Sequence, residues 1–163
     1  IKLTAAADEN SSFQGWSGDI SATTATVPVI INGNMTVIAV FGPPPLPDLT
    51  GEWQDLKITR FLGRTTIITG FFELKNIGQA AANYGYAVSY YLSSDGISLD
   101  IPLNTRAITL NLLSESSRKL MFTRYVEGSV NVSGKYLVAV IDLENVLAEE
   151  DKTNNRVVFG PLP

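Results

Sequence analysis

Apolar residues at every second position recur in run after run along the last two thirds of this 163-residue chain. Ile68, Gly70, Phe72 and Leu74 form one row, Tyr86, Val88, Tyr90 and Leu92 a second, and Tyr136, Val138 and Val140 a third. A repeat of two is that of a strand with one dry and one wet face. Each row therefore predicts an inward-facing line on an antiparallel strand. About seven such strands fit the spacing of a sandwich, at 53–59, 65–75, 85–93, 106–113, 117–125, 134–142 and 156–160. The expected class is all-β, an immunoglobulin-like antiparallel β-sandwich. Helix signals are thin, and 146–151 is the lone candidate.

Composition removes several functions. There is no cysteine and no histidine. Disulfide frameworks, thiolate or imidazole zinc sites and histidine-dependent nucleophile systems are thereby excluded. The net charge is −4, and Arg118-Lys119 is the one adjacent basic pair. Nucleic-acid binding needs a clustered positive surface, which this charge pattern does not supply. No apolar run approaches the roughly 20 residues that span a bilayer as a helix.

Pro43, Pro44, Pro45 and Pro47 place four prolines in five residues. Such a run is extended and poor in backbone donors, so 42–47 reads as a semi-rigid linker between two units. Before it lie a short strand at 1–5, a turn cluster at 8–12, a strand at 25–31, Asn32-Gly33-Asn34, and a strand at 35–41. Asn-Gly is a strong hairpin signal, so the last two strands are expected to pair.

The order Leu3-Thr4-Ala5, Phe13-Gln14-Gly15-Trp16-Ser17-Gly18-Asp19 and Asn34-Met35-Thr36-Val37-Ile38-Ala39-Val40-Phe41 resembles the C-terminal part of the bacterial internalin B-type repeat. The resemblance covers 1–41 and implies a partial, small β-grasp-type unit whose first hairpin is missing. Unpaired strand edges seek partners. A homo-oligomer through the edges of 1–41 is therefore expected. The chain opens in mid-pattern at Ile1-Lys2-Leu3-Thr4, which reads as a piece of a longer polypeptide.

The later region, 48–163, resembles the bacterial cell-adhesion-related domain CARDB from its Leu46-Pro47-Asp48-Leu49 lead-in onward. Further signposts are Leu74-Lys75-Asn76-Ile77-Gly78, Tyr90-Tyr91-Leu92-Ser93-Ser94-Asp95, Gly134-Lys135-Tyr136 and the acidic, amide-rich stretch from Asp142 to Asn155. Residues 96–131 carry no matching signpost. The resemblance implies a non-catalytic module outside the cell.

Asp142, Asn145, Glu149, Asp151 and Asn154 offer hard oxygen ligands in a short span, the chemistry Ca²⁺ prefers, though not at EF-hand spacing. The same residue types also bond turn amides and stiffen a strand crossover. Calcium as a structural ion and a metal-free turn both remain open. Tyr136 sits where a tyrosine corner would return its hydroxyl to the preceding loop. Trp16, flanked by Gly15 and Gly18, suits a core plug, while Trp53 suits an edge strand packed under the linker. Either indole is also a candidate sugar platform.

Together these features predict a non-enzymatic, extracellular, bacterial cell-surface or secreted module, an adhesive or structural spacer. Its expected partners are proteins or polysaccharides at the cell surface, with no nucleic acid and no transmembrane segment. The alternative is a carbohydrate-binding accessory module, with a structural calcium, attached to an enzyme.

Overall fold

Strand Thr65–Asn76 (β6) sits at the centre of a three-stranded antiparallel sheet because both of its edges find long partners. Leu49–Phe61 (β5) pairs along one edge and Ser116–Glu127 (β9) along the other. A second sheet has Tyr136–Ile141 (β10) and Ala87–Ser93 (β7) at its middle. Arg156–Phe159 (β11) and Ile101–Ala107 (β8) form its edges. These seven strands form the sandwich in a computed structural model describing residues 1–61 and 65–163. No helix occurs among the described residues, and 146–151 is irregular loop.

The rows read from β6 and β7 face the core. Ile68, Phe72 and Leu74 meet Tyr86, Val88, Tyr90 and Leu92 across the two sheets. Trp53 is buried among them, with ring centroids 5.2 Å from Phe72, 5.2 Å from Phe122 and 5.5 Å from Tyr90. Edge-to-face pairs of this kind add about 0.5–1.5 kcal/mol each beyond burial. Trp53 does lie on an edge strand, but its ring fills the sandwich rather than underlying the linker. Its indole Nε1 donates to Val157 O at 3.3 Å, tying β5 to β11 on the other sheet. Gly51 is required beside it, because a Cβ there would stand 2.3 Å from the Phe72 ring.

The third row is corrected. On β10 the core-facing residues are Leu137, Ala139 and Ile141, not Tyr136, Val138 and Val140. The run Tyr136–Ile141 is apolar at every position, so a period of two fits either face. Pairing decides it: Ala139 lies opposite the core residue Tyr90, and Val138 opposite Tyr91. Val138 is nonetheless fully buried, flanked by Tyr91 and Val158 as a central-strand residue. Tyr136 packs its ring against Gly96 and Gly160 on that outer face. Its hydroxyl makes no hydrogen bond among the described residues, so the expected tyrosine-corner bond is not formed.

The fourth strand is also shifted, from the expected 106–113 to Ile101–Ala107. Ala107 pairs with Ala87, the first residue of β7, and beyond it regular pairing gives way to separate bonds of Ile108 with Gly85 and Tyr86 and a bridge of Leu112 to Ala82. Residues Ile108 and Leu112 are still buried, while Leu110 and Leu113 are exposed.

Residues 1–45 form a separate compact unit. Lys2–Thr4 (β1) pairs with Thr26–Pro28 (β3), and Ser12–Gly18 (β2) with Val37–Gly42 (β4). The expected hairpin between the last two strands is absent, since each takes its partner from earlier in the chain. Gly33 does not adopt the positive φ that a type I′ Asn-Gly turn demands. Trp16 is buried, stacked edge-on against Phe13, with Nε1 donating to Thr24 O at 3.0 Å.

Candidate functional site

The acidic loop between β10 and β11 grips the segment that leads into β5. Backbone Glu150 N donates to Pro47 O at 2.9 Å. Buried Glu149 accepts from Leu49 N through Oε2 at 2.9 Å and from Asn155 Nδ2 through Oε1 at 2.8 Å. Asn154 Nδ2 donates to Asp48 Oδ1 at 2.7 Å, and Thr50 Oγ1 donates to Asn154 O at 3.3 Å. The same lead-in is held from the other side by Asn76. Its Oδ1 accepts from Asp48 N and Gly78 N, while its Nδ2 donates to Ala80 O, Leu112 O and Leu113 O. Gly78 permits this approach, because a Cβ there would stand 2.4 Å from Asp48 N and 2.6 Å from Leu46 O.

Asp142 shapes the loop itself. Its buried carboxylate accepts from Val146 N and Leu147 N at 2.9 Å each, an arrangement helped by left-handed backbone at Asp142 and Asn145. Asn and Asp tolerate that conformation better than most side chains. Lys152 Nζ lies 3.7 Å from Asp142 Oδ2 and donates to Asn145 Oδ1 at 2.8 Å and Leu147 O at 2.5 Å. Asp151 accepts from Thr153 N and Oγ1, and these bonds hold its carboxyl below the usual range.

The five residues that the sequence offers to calcium thus serve different partners. Asp142 and Asn145 share Lys152, Glu149 holds Leu49 and Asn155, Asp151 caps Thr153, and Asn154 bonds Asp48. No group of three or more acidic residues converges on a metal position among the described residues. An ammonium already lies beside Asp142 and Asn145, in the place a cation would seek. The set therefore does not fit a calcium ion. Two buried acceptors, Asn154 Oδ1 and Asn155 Oδ1, lack protein donors.

Burial sets the titration of the clasp. It raises the Glu149 carboxyl above its ordinary value, opposed first by the Asn155 bond and then by the Leu49 amide. Tyr86, whose buried hydroxyl has no hydrogen-bond partner, is pushed up to about 12, mainly by burial. Sequence reading missed Asn76, Asp48 and Lys152 as members of this site. The signal available was a lone buried-type Asn closing a strand, which has many innocent readings.

Comparison with known proteins bears on the fold. Residues 1–44 match the family model described as the divergent InlB B-repeat domain. A solution structure of a CARDB domain from Pyrococcus furiosus is similar with a TM-score of 0.50 and 20% identity, covering 70% of this chain and 92% of that one. A crystal structure of the same archaeal domain, solved in complex with di-metal ions, has a TM-score of 0.49 and 19% identity, covering 70% and 85%. No curated protein matches the chain. The chain therefore joins a segment matching the divergent InlB B-repeat domain to a sandwich with the immunoglobulin-like fold of a CARDB domain.

Proposed function

We propose that this chain is a non-catalytic module of a bacterial cell-surface or secreted protein, acting as an adhesive or structural spacer. The observation that carries this reading is the clasp. It ties residues 47–50, where the chain enters the sandwich, to residues 149–155 near its end, through side chains about 100 positions away in sequence. A module pulled from its two ends would have to shear this tie before strands peel. The B-repeat match in residues 1–44 supports a surface location.

Both tryptophans are buried, which weighs against the carbohydrate-binding alternative, since neither ring is free to stack on a sugar. The module's partners are proteins or polysaccharides met at the cell surface, bound without a tryptophan platform. We read the clasp as metal-free, because its Asp142 and Glu149 carboxylates already accept from amide groups and Lys152 lies beside Asp142. The test of location is brief protease treatment of intact cells of the producing organism, followed by mass spectrometry. Peptides from this chain should be released before any cytoplasmic marker. Recovery only after lysis would sink the reading.

A further inference from the structure

Strand β9 is the outer strand of its sheet and pairs with β6 through all twelve residues without a bulge. Its other edge has no strand partner among the described residues. One side chain touches it there, Arg106 Nη1 donating to Met121 O at 3.3 Å. That bond shows which carbonyls point to the free edge. Since N–H and C=O of one strand residue point the same way, Lys119, Met121, Thr123 and Tyr125 present backbone groups outward, while Glu127 O already accepts from Val130 N at 2.9 Å. The same residues place their side chains on the wet face, where Met121 and Tyr125 are 70% and 71% exposed. Lys119 lies opposite Glu73 on β6, and neither Lys119 nor Glu127 forms an ion pair among the described residues.

We propose that a second copy of this chain adds to this edge, β9 against β9 in antiparallel register about a twofold axis through Thr123. Residues opposite each other then sum to a constant. Thr123 meets Thr123, Met121 meets Tyr125, and Lys119 meets Glu127, each pair occurring twice or lying on the axis. The backbone groups of Thr123 and of the Met121–Tyr125 pairs face the partner, so the ladder continues through them, the Lys119–Glu127 side chains meet at its ends, and each sheet of three becomes half of a sheet of six. Thioether on aromatic and ammonium on carboxylate are favourable cross-strand neighbours. Neighbouring registers lose this match. One step sets Lys119 opposite Tyr125 and Glu127 opposite Ser117, and the opposite step sets Glu127 opposite Met121. The contact is isologous and closes at two copies, rather than running on as a filament.

Two features keep the dimer modest. Pairing displaces the Arg106 guanidinium from Met121 O, and it brings the two Arg124 side chains diagonally near each other. Inward-pointing charge on an edge strand is a known brake on open-ended pairing. Arg124 Nε, buried without a partner, comes to lie beside Phe122 of the second copy.

The test is sedimentation equilibrium of the full chain across a wide concentration range. Wild type should pass from monomer to dimer. Glu127→Lys should weaken association about tenfold or more, by setting Lys119 against lysine twice, and adding Lys119→Glu should restore it. Thr123→Pro should abolish it, by removing the central donor from both copies. Should Thr123→Pro fail to fold, as read by near-ultraviolet circular dichroism, the charge pair alone decides. A wild type that stays monomeric throughout overturns the proposal. So does association that ignores Glu127→Lys, which would place the contact elsewhere, such as the strand edges of residues 1–41.

Discussion

Replacing Glu149 with alanine tests the clasp at its most buried point. The side chain is 9% exposed and accepts two hydrogen bonds, from the Leu49 amide and the Asn155 amide group. Truncation leaves both donors unsatisfied in a site closed to water, at about 1–3 kcal/mol each. Relief of a carboxylate held above its ordinary pKa returns part of that. The net loss is roughly 3 kcal/mol, which for a sandwich of this size lowers the melting temperature by about 10 °C. Guanidinium titration followed by near-ultraviolet circular dichroism measures the stability. Hydrogen exchange localises it, because the Leu49 amide should lose protection before amides at the centre of β6. A stability change below about 0.5 kcal/mol, with Leu49 still protected, would refute the assignment of this tie as a principal restraint.

Three further outcomes follow from the same geometry. Calcium at about a hundred times its dissociation constant would add roughly 2.7 kcal/mol to a true binding site. We expect the melting temperature to be the same in calcium and in chelator, and a rise with calcium would return the loop to the metal reading. Lys152→Met removes the ammonium beside buried Asp142 and should destabilise the sandwich by roughly 1–3 kcal/mol, measured by the same titration. The stability difference between wild type and Glu149→Gln should depend on pH with a defined sign. The folded carboxyl titrates above its unfolded value, so the folded state holds the extra proton between the two. The wild-type contribution is then largest below the unfolded pKa and declines as pH rises through the folded one. Depressed carboxyls at Asp95 and Asp151 act oppositely, losing their contribution as pH falls. A difference that grows with pH in melts from acid to neutral would contradict the burial of Glu149.

The alternation in β6 and β7 is decisive because their off-row positions are partly polar, which leaves a single apolar face even though Ser89 and Ser93 are themselves buried. In β10 no polar residue breaks the tie, and the inward row lies one position from the row the repeat predicts. The residue types around Asp142–Asn155 announced a tight crossover, yet not its partners. Glu149 reaches Leu49 and Asn154 reaches Asp48 across most of the chain's length, and local spacing holds no trace of such a pairing. The Asn32-Gly33 signal failed for a related reason, since β3 and β4 each found better partners in β1 and β2.

What the sequence determined alone was the strand repeat, the break at the prolines, and the exclusion of histidine and cysteine chemistry, because each depends on residue identity or on neighbours a few positions apart. Tertiary structure decided which face of β10 is dry and what the acidic loop holds. It also brought the Lys152 ammonium beside Asp142. Those depend on register and on contacts between distant segments, where a shift of one residue exchanges the two faces of a strand.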